Sequence, residues 1–505
     1  MSIHSIPRIK GKVLAVMIEL FTAKVAEITG GRLTATARAD QLVLGVTTDS
    51  RESEPGWLFV AKPGESSDGH HFVQSAMEHG ASIALAERET QAPDGSVHPA
   101  VIVPDAVIAM GQIASWMVAE LKERNGMRVI GITGSAGKTT TKDLLASLLA
   151  TAGPTIAPIG SYNGEVGVPL TIFRATEETK FLIVEMGATG IGHITYLTDM
   201  VHPEVGVVLG VGSAHAGEFG GVENIAIAKG EMVESLPESG LAVLNGDDAL
   251  VAAMSSRTRA RVREFGVQRT NNGTKSGVWA RELEVDANGH PEFTLVLNDG
   301  SENHVCSGLI GRHHVTNILA AATVAEHLGV SSQTIAATLQ GLGPASRWRM
   351  ERTEREDGVS IINDAYNANP DSMRAALVTL AELGLPDEQG NARRTWAVLG
   401  EMLELGAESI HEHDLLGRAA VRMNIKKLLV VGIGAKAAYN SAVLEGSWGD
   451  EAYYAADADA AAQLLNDELR PGDIVLFKSS NGSGLRHLGD RIAATNHGAS
   501  TAKEG

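Results

Sequence analysis

The chain contains a single cysteine, Cys306, among its 505 residues. No intrachain disulfide can form, so folds that depend on a disulfide framework are excluded, and such low cysteine usage is typical of a reducing compartment. We interpret Cys306 as a small, partly buried residue rather than as a nucleophile. Long apolar runs are also missing. No segment approaches the ~18 consecutive apolar residues of a membrane-spanning helix, so the sequence predicts no membrane insertion.

Positive charge is scarce as well. The 42 Lys and Arg residues face 61 Asp and Glu residues, for a net charge of −19, and no Lys/Arg block interrupts this balance. A surface of this sign disfavours a nucleic-acid partner. The stretch from Arg8 to Leu20 faintly resembles a signal peptide, but its apolar part is too short, Glu19 interrupts it, and no small-residue cleavage site follows. We therefore expect a cytoplasmic protein.

A chain of this length predicts about three domains. The expected division is an N-terminal extension over 1–16, a small α/β domain over 17–125, a central domain over 126–343 and a C-terminal domain over 344–505. Strand-like and helix-like runs alternate in the central domain, which favours a mostly parallel sheet flanked by helices. Its more polar segment, 260–305, is expected to form an antiparallel flap. With no evident apolar stripe on the surface, we expect a monomer.

The C-terminal domain shows a further strand–helix series and is predicted to be Rossmann-like. Its four strand candidates are Val359–Asn363, Trp396–Leu399, Leu428–Val431 and Ile474–Lys478. No Gly-x-Gly-x-x-Gly follows a strand, so a dinucleotide is not expected there. The segment Gly341-Leu342-Gly343-Pro344, which joins this domain to the central one, is predicted to be a hinge.

The most informative segment is a glycine-rich turn between a predicted strand and a predicted helix. It reads Thr133-Gly134-Ser135-Ala136-Gly137-Lys138-Thr139-Thr140. Small residues let backbone N–H groups close around phosphate oxygens, and the helix N-terminus adds its positive dipole end. Lys138 is then placed to reach the β- and γ-phosphates, and Thr139 to ligate Mg²⁺. Because position 132 is Ile, the spacing is tighter than in the general P-loop.

Further chemistry is expected where buried strands end at the same sheet edge. Glu185 ends the apolar run that begins at Phe181, and His215 follows another such run. Both are candidates for an Mg²⁺ shell beside the phosphates, Glu185 more so because a hard cation prefers oxygen ligands. Lys229 lies on a small, apolar helix. It is either a surface lysine with a buried stem or, if half-buried, an amine able to lose its proton and react with CO₂ to form a carbamate.

Several motifs share one order along the chain. They are the loop 134–140, Glu185, Ala214-His215, Ala228-Lys229-Gly230-Glu231, Gly311-Arg312-His313-His314-Val315-Thr316-Asn317 and Asp364-Ala365-Tyr366-Asn367-Ala368-Asn369-Pro370-Asp371-Ser372-Met373. In content and order they resemble the landmarks of the Mur ligase family over residues 17–490. The run 364–373 is similar to the third-domain signature of the members that use D-alanyl-D-alanine.

The resemblance implies a three-domain α/β architecture with a central P-loop ATPase domain, and ATP and Mg²⁺ as cofactors. It further implies an amide ligase whose substrates are UDP-N-acetylmuramoyl-tripeptide and D-alanyl-D-alanine, joined through an acyl phosphate. Residue roles follow in the same way. The implied metal shell is Thr139, Glu185, His215 and Lys229 as a carbamate; the nucleotide contacts are Lys138, Asn317, Arg347 and Asp364; the acceptor contact is Asn163; the uridine-nucleotide contacts are Ser50, Arg51 and Asp68; and the dipeptide contacts are Tyr366 and Asn367.

Several alternatives stay open at this point. His413 is a candidate base for the incoming amine. The chain also fits another Mur-type ligase with a different amine, or an ATP-binding module that ligates nothing. No identified side chain distinguishes diaminopimelate from lysine in the stem peptide. The motif Lys478-Ser479-Ser480-Asn481-Gly482-Ser483 departs from the family's usual Lys-Gly-Ser-Arg, so the role of this loop is not assigned.

Overall fold

The computed structural model describes residues 17–64, 67–212, 219, 221–267, 276–386, 390–446 and 451–495, with the backbone of two short paired strands, Arg8–Ile9 and Lys12–Val13. Within this part, three main sheets of five, nine and six strands follow one another along the chain. We call the units built on them the N-terminal, central and C-terminal units. Among the described helices, none combines the length and the apolarity needed to cross a bilayer.

The N-terminal unit is an α/β layer built on the five-stranded sheet. Its strands lie in the order Arg32–Leu33, Ala100–Ile102, Ile83–Ala86, Trp57–Ala61 and Gly45–Thr47, and only the first pair is antiparallel. A separate pair joins Leu20–Phe21 to Leu42–Val43. The helices are Thr22–Thr29, Val73–His79 and Ala106–Asn125. Asp105 caps the last of these by accepting hydrogen bonds from two backbone N–H groups, and Gly126 ends it in the left-handed conformation.

The central sheet is parallel over seven strands and antiparallel over its last two. The order is Thr155–Ile156, Phe181–Glu185, Arg128–Thr133, Val205–Val208, Leu241–Asn245, Arg261–Gly266, Gly277–Val285, Pro291–Val296 and Glu302–Cys306. The helices are Lys138–Ala150, Gly167–Ile172, His193–Val201, Val222–Glu234, Ala249–Ala252, His314–His327 and Ser332–Leu339.

The sheet order confirms antiparallel strands in the segment 260–305 but shows that they do not form a separate flap. Arg261–Gly266 is a parallel strand of the main sheet, and the antiparallel strands extend the same sheet edge. The polar pattern misled because Arg263 is satisfied within the fold: its Nη1 lies 3.0 Å from Glu326 Oε2. A polar residue with a partner in the next layer does not require a separate flap.

The C-terminal unit has a six-stranded sheet in the order Glu351–Glu354, Ser360–Asn363, Ile474–Lys478, Thr395–Leu399, Lys427–Val431 and Ala452–Ala455. All pairs but the first are parallel. The helices are Pro370–Leu383, Ser409–Arg422, Lys436–Glu445, Ala458–Glu468 and Leu485–Ala493. The four predicted strands are present within one residue at either end, and the doubly wound order confirms the predicted Rossmann-like layout.

Packing between the units places their loops around one space. A single buried apolar cluster includes Leu58 and Val60 of the N-terminal unit and Val184 of the central sheet. The C-terminal unit touches the glycine-rich loop, because Asn369 Nδ2 donates to Ser135 O at 3.3 Å. A cavity of about 910 Å³ opens between all three units at the carboxyl edge of the central sheet.

Candidate active site

The glycine-rich loop forms the floor of the cavity. The strand Arg128–Thr133 ends at the loop, and the helix Lys138–Ala150 begins immediately after Gly137. Gly137 has φ 83°, and a Cβ there would meet Asn317 Oδ1 at 2.2 Å, so only glycine fits this turn. Four loop residues and the first three helical residues line the cavity: Gly134, Ser135, Ala136, Gly137, Lys138, Thr139 and Thr140.

Lys138 bonds to its own loop. Its Nζ donates to Gly134 O at 2.7 Å. Burial lowers the pKa of Lys138, while the nearby carboxylate of Glu185 opposes that shift. An ammonium whose only described hydrogen bond is to a single loop carbonyl is well placed to move onto an incoming anion.

Glu185 and Thr139 form an oxygen pair beside this lysine. Thr139 Oγ1 lies 3.4 Å from Glu185 Oε2, and the carboxylate is fully buried. Its Oε1 has no hydrogen-bond partner among the described residues, and burial raises the pKa of Glu185. An orphaned carboxylate oxygen next to a threonine hydroxyl is a donor set that fits a hard divalent cation such as Mg²⁺. His215 lies outside the described residues.

Lys229 lines the same cavity from the helix Val222–Glu234. Its side chain is buried, which decides between the two interpretations of the sequence in favour of the half-buried amine. Burial, and secondarily the charge of Lys138, lowers the pKa of Lys229 to about 7. A large neutral fraction near neutral pH is the state that can add CO₂.

An arginine that the sequence did not single out reaches this pair from the C-terminal unit. Arg349 Nη2 donates to Thr139 Oγ1 at 3.2 Å and to Ser161 Oγ at 3.1 Å. Its guanidinium carbon lies 4.5 Å from the centre of the Tyr366 ring. Both Arg349 and Ser161 line the cavity. Arg349 therefore delivers a positive charge across the boundary between two units.

Arg347, the arginine predicted from the sequence to contact the nucleotide, does not take this place in the structure. Arg347 Nη2 pairs with Asp490 Oδ2 at 3.0 Å, its guanidinium stacks on the Trp348 ring, and Arg347 is not among the residues that line the cavity. The backbone explains the exchange. Trp348 has φ 58° and Met350 has φ 53°, so two bulky residues in the left-handed region flank Arg349 and redirect it inward. Such outliers concentrate at functional sites.

Asp364 and Lys478 form an ion pair at the cavity wall. Lys478 Nζ lies 2.6 Å from Asp364 Oδ2 and also donates to Asn367 O at 3.2 Å. Asp364 further accepts from Met350 N at 3.1 Å, which ties it to the segment that carries Arg349. Lys478, from the motif that differs from the family pattern, thus positions Asp364, the carboxylate that was predicted to contact the ribose. Tyr366 and Asn367 line the cavity as candidates for substrate contact.

His413 is not a base at this site, which corrects the hypothesis from the sequence. Its side chain is fully buried, Nδ1 lies 2.7 Å from Ser409 O, and Nε2 lies 3.0 Å from Met402 N. The first contact requires N–H at Nδ1 and the second requires a lone pair at Nε2, so the neutral ring has no free nitrogen to accept a proton. It also lies outside the residues that line the cavity.

Of the two predicted asparagines, one lines the cavity and the other lies beneath the loop. Asn163 lines the cavity, and its carbonyl accepts from Gly187 N at 2.8 Å. Asn317 is buried beneath the loop, 3.4 Å from Thr141 Oγ1 and outside the cavity lining.

Ser50, Arg51 and Asp68 follow neighbouring parallel strands of the N-terminal sheet and are not cavity-lining either. Arg51 pairs with Asp49 at 2.6 Å, and Asp68 with Arg88 at 2.5 Å. Their placement at one sheet edge keeps them together as a candidate binding surface.

The cavity brings together a phosphate-binding loop, an oxygen pair, a buried lysine and an arginine from the C-terminal unit. This arrangement defines the class of protein: a P-loop enzyme of the ligase type, whose active site is completed by a residue of a separate unit. Family models agree in chain order. The Mur ligase family catalytic domain matches 43–124, the Mur ligase middle domain matches 132–325, and the Mur ligase glutamate ligase domain matches 348–481. The chain belongs to the Mur ligase family and is a ligase.

Named relatives sharpen this placement. The chain is 45% identical to the UDP-N-acetylmuramoyl-tripeptide–D-alanyl-D-alanine ligase of Mycobacterium tuberculosis H37Rv, with 95% of this chain and 98% of the relative covered. It superposes on the crystal structure of MurF from Acinetobacter baumannii with a TM-score of 0.81, 29% identity and coverage of 95% and 100%. For MurF from Thermotoga maritima in complex with ADP, the values are 0.73, 26%, 89% and 97%.

Proposed function

We propose that this chain joins D-alanyl-D-alanine to the carboxylate of UDP-N-acetylmuramoyl-tripeptide, using ATP and releasing ADP and phosphate. The observation that carries the proposal is the convergence of Lys138, Glu185, Lys229 and Arg349 on one cavity. The substrates come from the names of the relatives, and the nucleotide from the ADP complex of one of them.

The first step activates the carboxylate. A carboxylate oxygen of the tripeptide attacks the γ-phosphorus, the bond to the β-phosphate oxygen breaks, and ADP leaves with that oxygen. Negative charge builds on the transferring phosphoryl oxygens. Lys138 from the loop and Arg349 from the C-terminal unit supply fixed positive charge where it builds, in a site partly withdrawn from water.

The second step forms the amide. The dipeptide amine attacks the acyl carbon, and the tetrahedral intermediate collapses with release of phosphate. An α-amine with a pKa of about 8 is partly neutral at neutral pH, so the amine needs little help from a base. With His413 withdrawn, no side chain is assigned that task.

Mg²⁺ fits the oxygen pair described above. Thr139 Oγ1 and Glu185 would hold it, and the carbamate of Lys229 would serve a second ion. His215 is carried only by the family resemblance. When bound, the cation would neutralise charge on the phosphate oxygens. The residues of the chain itself bind, orient and screen the reactants.

The three units divide the remaining work. Ser50, Arg51 and Asp68 are proposed to hold the uridine nucleotide, and Asn163 the acceptor carboxylate. Asn317 and Asp364 are proposed to contact the adenosine, and Tyr366 and Asn367 the dipeptide. Closure of the C-terminal unit would exclude water, which matters because an acyl phosphate hydrolyses. We further propose that the chain acts as a cytoplasmic monomer.

Phosphate release tests the function directly. Purified chain with ATP, Mg²⁺ and the sugar-linked tripeptide should release phosphate at a substantial rate only after D-alanyl-D-alanine is added. Release that requires a different amine would assign another ligase of the family. Nucleotide binding without any amine-dependent release would identify a non-catalytic module and overturn the proposal.

A further inference from the structure

The outer strands of the central sheet carry three metal-binding side chains away from the cavity. Pro291–Val296 and Glu302–Cys306 pair antiparallel. Their side chains alternate: Phe293 and Val305 are buried in the core, whereas Glu292, His304 and Cys306 have partly or fully exposed side chains and lie on the opposite face. None of these three lines the nucleotide cavity.

The register brings the three donor atoms together. Glu292 lies directly opposite Cys306, and His304 precedes Cys306 by two residues on the same face. A carboxylate oxygen, an imidazole nitrogen and the thiol sulfur all lie within 4.8 Å of one another. His304 Nε2 and Cys306 Sγ are 3.4 Å apart. Tetrahedral zinc, with Zn–S of about 2.3 Å and Zn–N of about 2.0–2.1 Å, places such donors about 3.6 Å apart.

The local charges favour a cation here. The carboxylate of Glu292 makes no ion pair or hydrogen bond with the described side chains, and Glu284, on the neighbouring strand, lies directly opposite Glu292. Two like charges in a cross-strand pair destabilise a sheet. The arginine of the same strands, Arg281, is engaged with Glu302 at 2.5 Å. A bound cation would therefore relieve a repulsion that the described side chains leave uncompensated.

We propose that Glu292, His304 and Cys306 form a zinc site, with water in the fourth position. The thiol loses its proton to solvent on binding, neutral His304 contributes Nε2, and Glu292 contributes one carboxylate oxygen. The mixed sulfur, nitrogen and oxygen donors select a borderline ion such as Zn²⁺ over Mg²⁺, which requires oxygen ligands. The proposed zinc site thus differs in donor chemistry from the oxygen pair of Thr139 and Glu185, which fits Mg²⁺.

The zinc site is connected to the hinge. Cys306 N donates to Gln340 Oε1 at 3.1 Å, and Gly341 N donates to Cys306 O at 2.8 Å. The predicted hinge begins at Gly341. A metal held by Cys306 would fix the strand end on which the hinge is anchored, so binding should stabilise the folded chain.

Cobalt substitution tests the site in the full, reduced chain. Because Cys306 is the sole cysteine, a cobalt–thiolate charge-transfer band can arise from this residue alone. We expect one Co²⁺ per chain with this band, displaced by Zn²⁺ and not by Mg²⁺. Cys306→Ser should abolish the band. Loss of an outer-shell partner alone costs about 10–100-fold in metal affinity, so His304→Ala and Glu292→Gln should each weaken Zn²⁺ binding by at least about 100-fold.

Glu302→Gln is the matched control, because it lies on the same strand and face but outside the cluster. It should bind metal as the parent does. Zinc should also raise the melting temperature of the parent and of this control, and not that of Cys306→Ser. The proposal is overturned if the parent shows no cobalt–thiolate band at micromolar metal. It is equally overturned if His304→Ala and Glu292→Gln bind Zn²⁺ as tightly as the parent.

Discussion

The ionisable residues at the carboxyl edges of the N-terminal and central sheets have pKa values shifted in opposite senses, towards the charged form in the first and towards the neutral form in the second. At the central edge, Lys138, Glu185 and Lys229 are buried, and burial shifts the pKa of each towards its neutral form. At the N-terminal edge, Asp49 and Asp68 are paired with arginines, which hold the pKa of each carboxyl below its usual range. The same sheet geometry therefore serves two kinds of site.

This difference indicates that the central edge is suited to catalysis and the N-terminal edge to substrate binding. In the proposed reaction, the central residues find their full set of partners only when phosphates and a cation bind, so their charges are available to the chemistry. The N-terminal pairs are already satisfied and exposed, which suits a surface that holds a substrate in place. Substitutions at the central edge should therefore abolish turnover, and those at the N-terminal edge should change affinity or stability slightly.

Lys138→Ala should have the largest effect. Without the loop ammonium, the transferring phosphoryl group loses its nearest fixed positive charge, and turnover should fall by about 10³-fold or more. Binding of the uridine nucleotide at the other edge should be largely kept. Steady-state kinetics and calorimetry check the two halves, with surface Lys24→Ala as the control. Near-normal turnover would remove the loop from the reaction.

Lys229→Ala should be nearly inactive, by about 10²-fold or more, because it removes the amine that would carry the carbamate. Short carboxylic acids such as formate or acetate, which resemble the missing carbamate, should restore part of the activity. The measurement is kcat with and without added acid. If the variant turns over like the parent, the carbamate hypothesis is wrong.

The two arginines after the hinge provide a matched pair. Arg349→Ala should lower kcat by about 10²-fold, the usual cost of one preorganised donor at a developing charge. Arg347→Ala should leave kcat within a few-fold, because its guanidinium serves Asp490 at an exposed ion pair. Parallel kinetics decide between them. The reverse order would restore the assignment made from the sequence.

His413→Ala should affect folding rather than chemistry. The change leaves the Met402 N–H without its buried acceptor and should lower the free energy of unfolding by about 2–3 kcal/mol. The folded fraction should keep the parent pH–rate profile. Urea unfolding and the pH dependence of kcat measure the two effects. Loss of the acidic limb of the profile, the fall in rate at low pH that a required base causes, would reinstate His413 as a base if stability were unchanged.

Asp49→Asn should have the smallest effect. Arg51 is the main cause that lowers the pKa of Asp49 to about 2. A depressed carboxyl pKa stabilises the fold above the unfolded value of about 4, and that contribution is lost as the pH falls towards about 2. For this exposed pair the loss should be about 0.5 kcal/mol and constant from about pH 5 to 8. Urea unfolding should show a constant difference between about pH 5 and 8 and a shrinking one below about pH 4, and a difference that grows as the pH falls would contradict the prediction.

The sequence predicted those parts of the site that a contiguous backbone determines. The loop 134–140 and Glu185 could be placed because a strand end and a helix start fix their positions locally. Arg349 could not, because the left-handed φ angles at Trp348 and Met350 decide which arginine turns inward. Nothing in the types of these two residues predicts a left-handed backbone conformation.

One wrong hypothesis and one cluster that the sequence did not reveal also depend on the fold. His413 resembled a functional histidine, but on a helix its Nδ1 reaches the carbonyl of Ser409, four residues earlier, and the fold buries it there. The cluster of Glu292, His304 and Cys306 depends on cross-strand register, which the residue spacing alone does not reveal. Burial of the His413 ring against its own helix decided the first case, and cross-strand pairing decided the second.

Transfer of labelled oxygen is the most direct measurement of the central claim that the cavity activates a carboxylate by phosphorylation. The tripeptide would carry heavy oxygen in the reacting carboxylate, and the phosphate released in the presence of ATP and D-alanyl-D-alanine would be analysed by mass spectrometry. If the carboxylate is phosphorylated, each released phosphate carries one labelled oxygen. Unlabelled phosphate, formed together with the amide product, would contradict that claim.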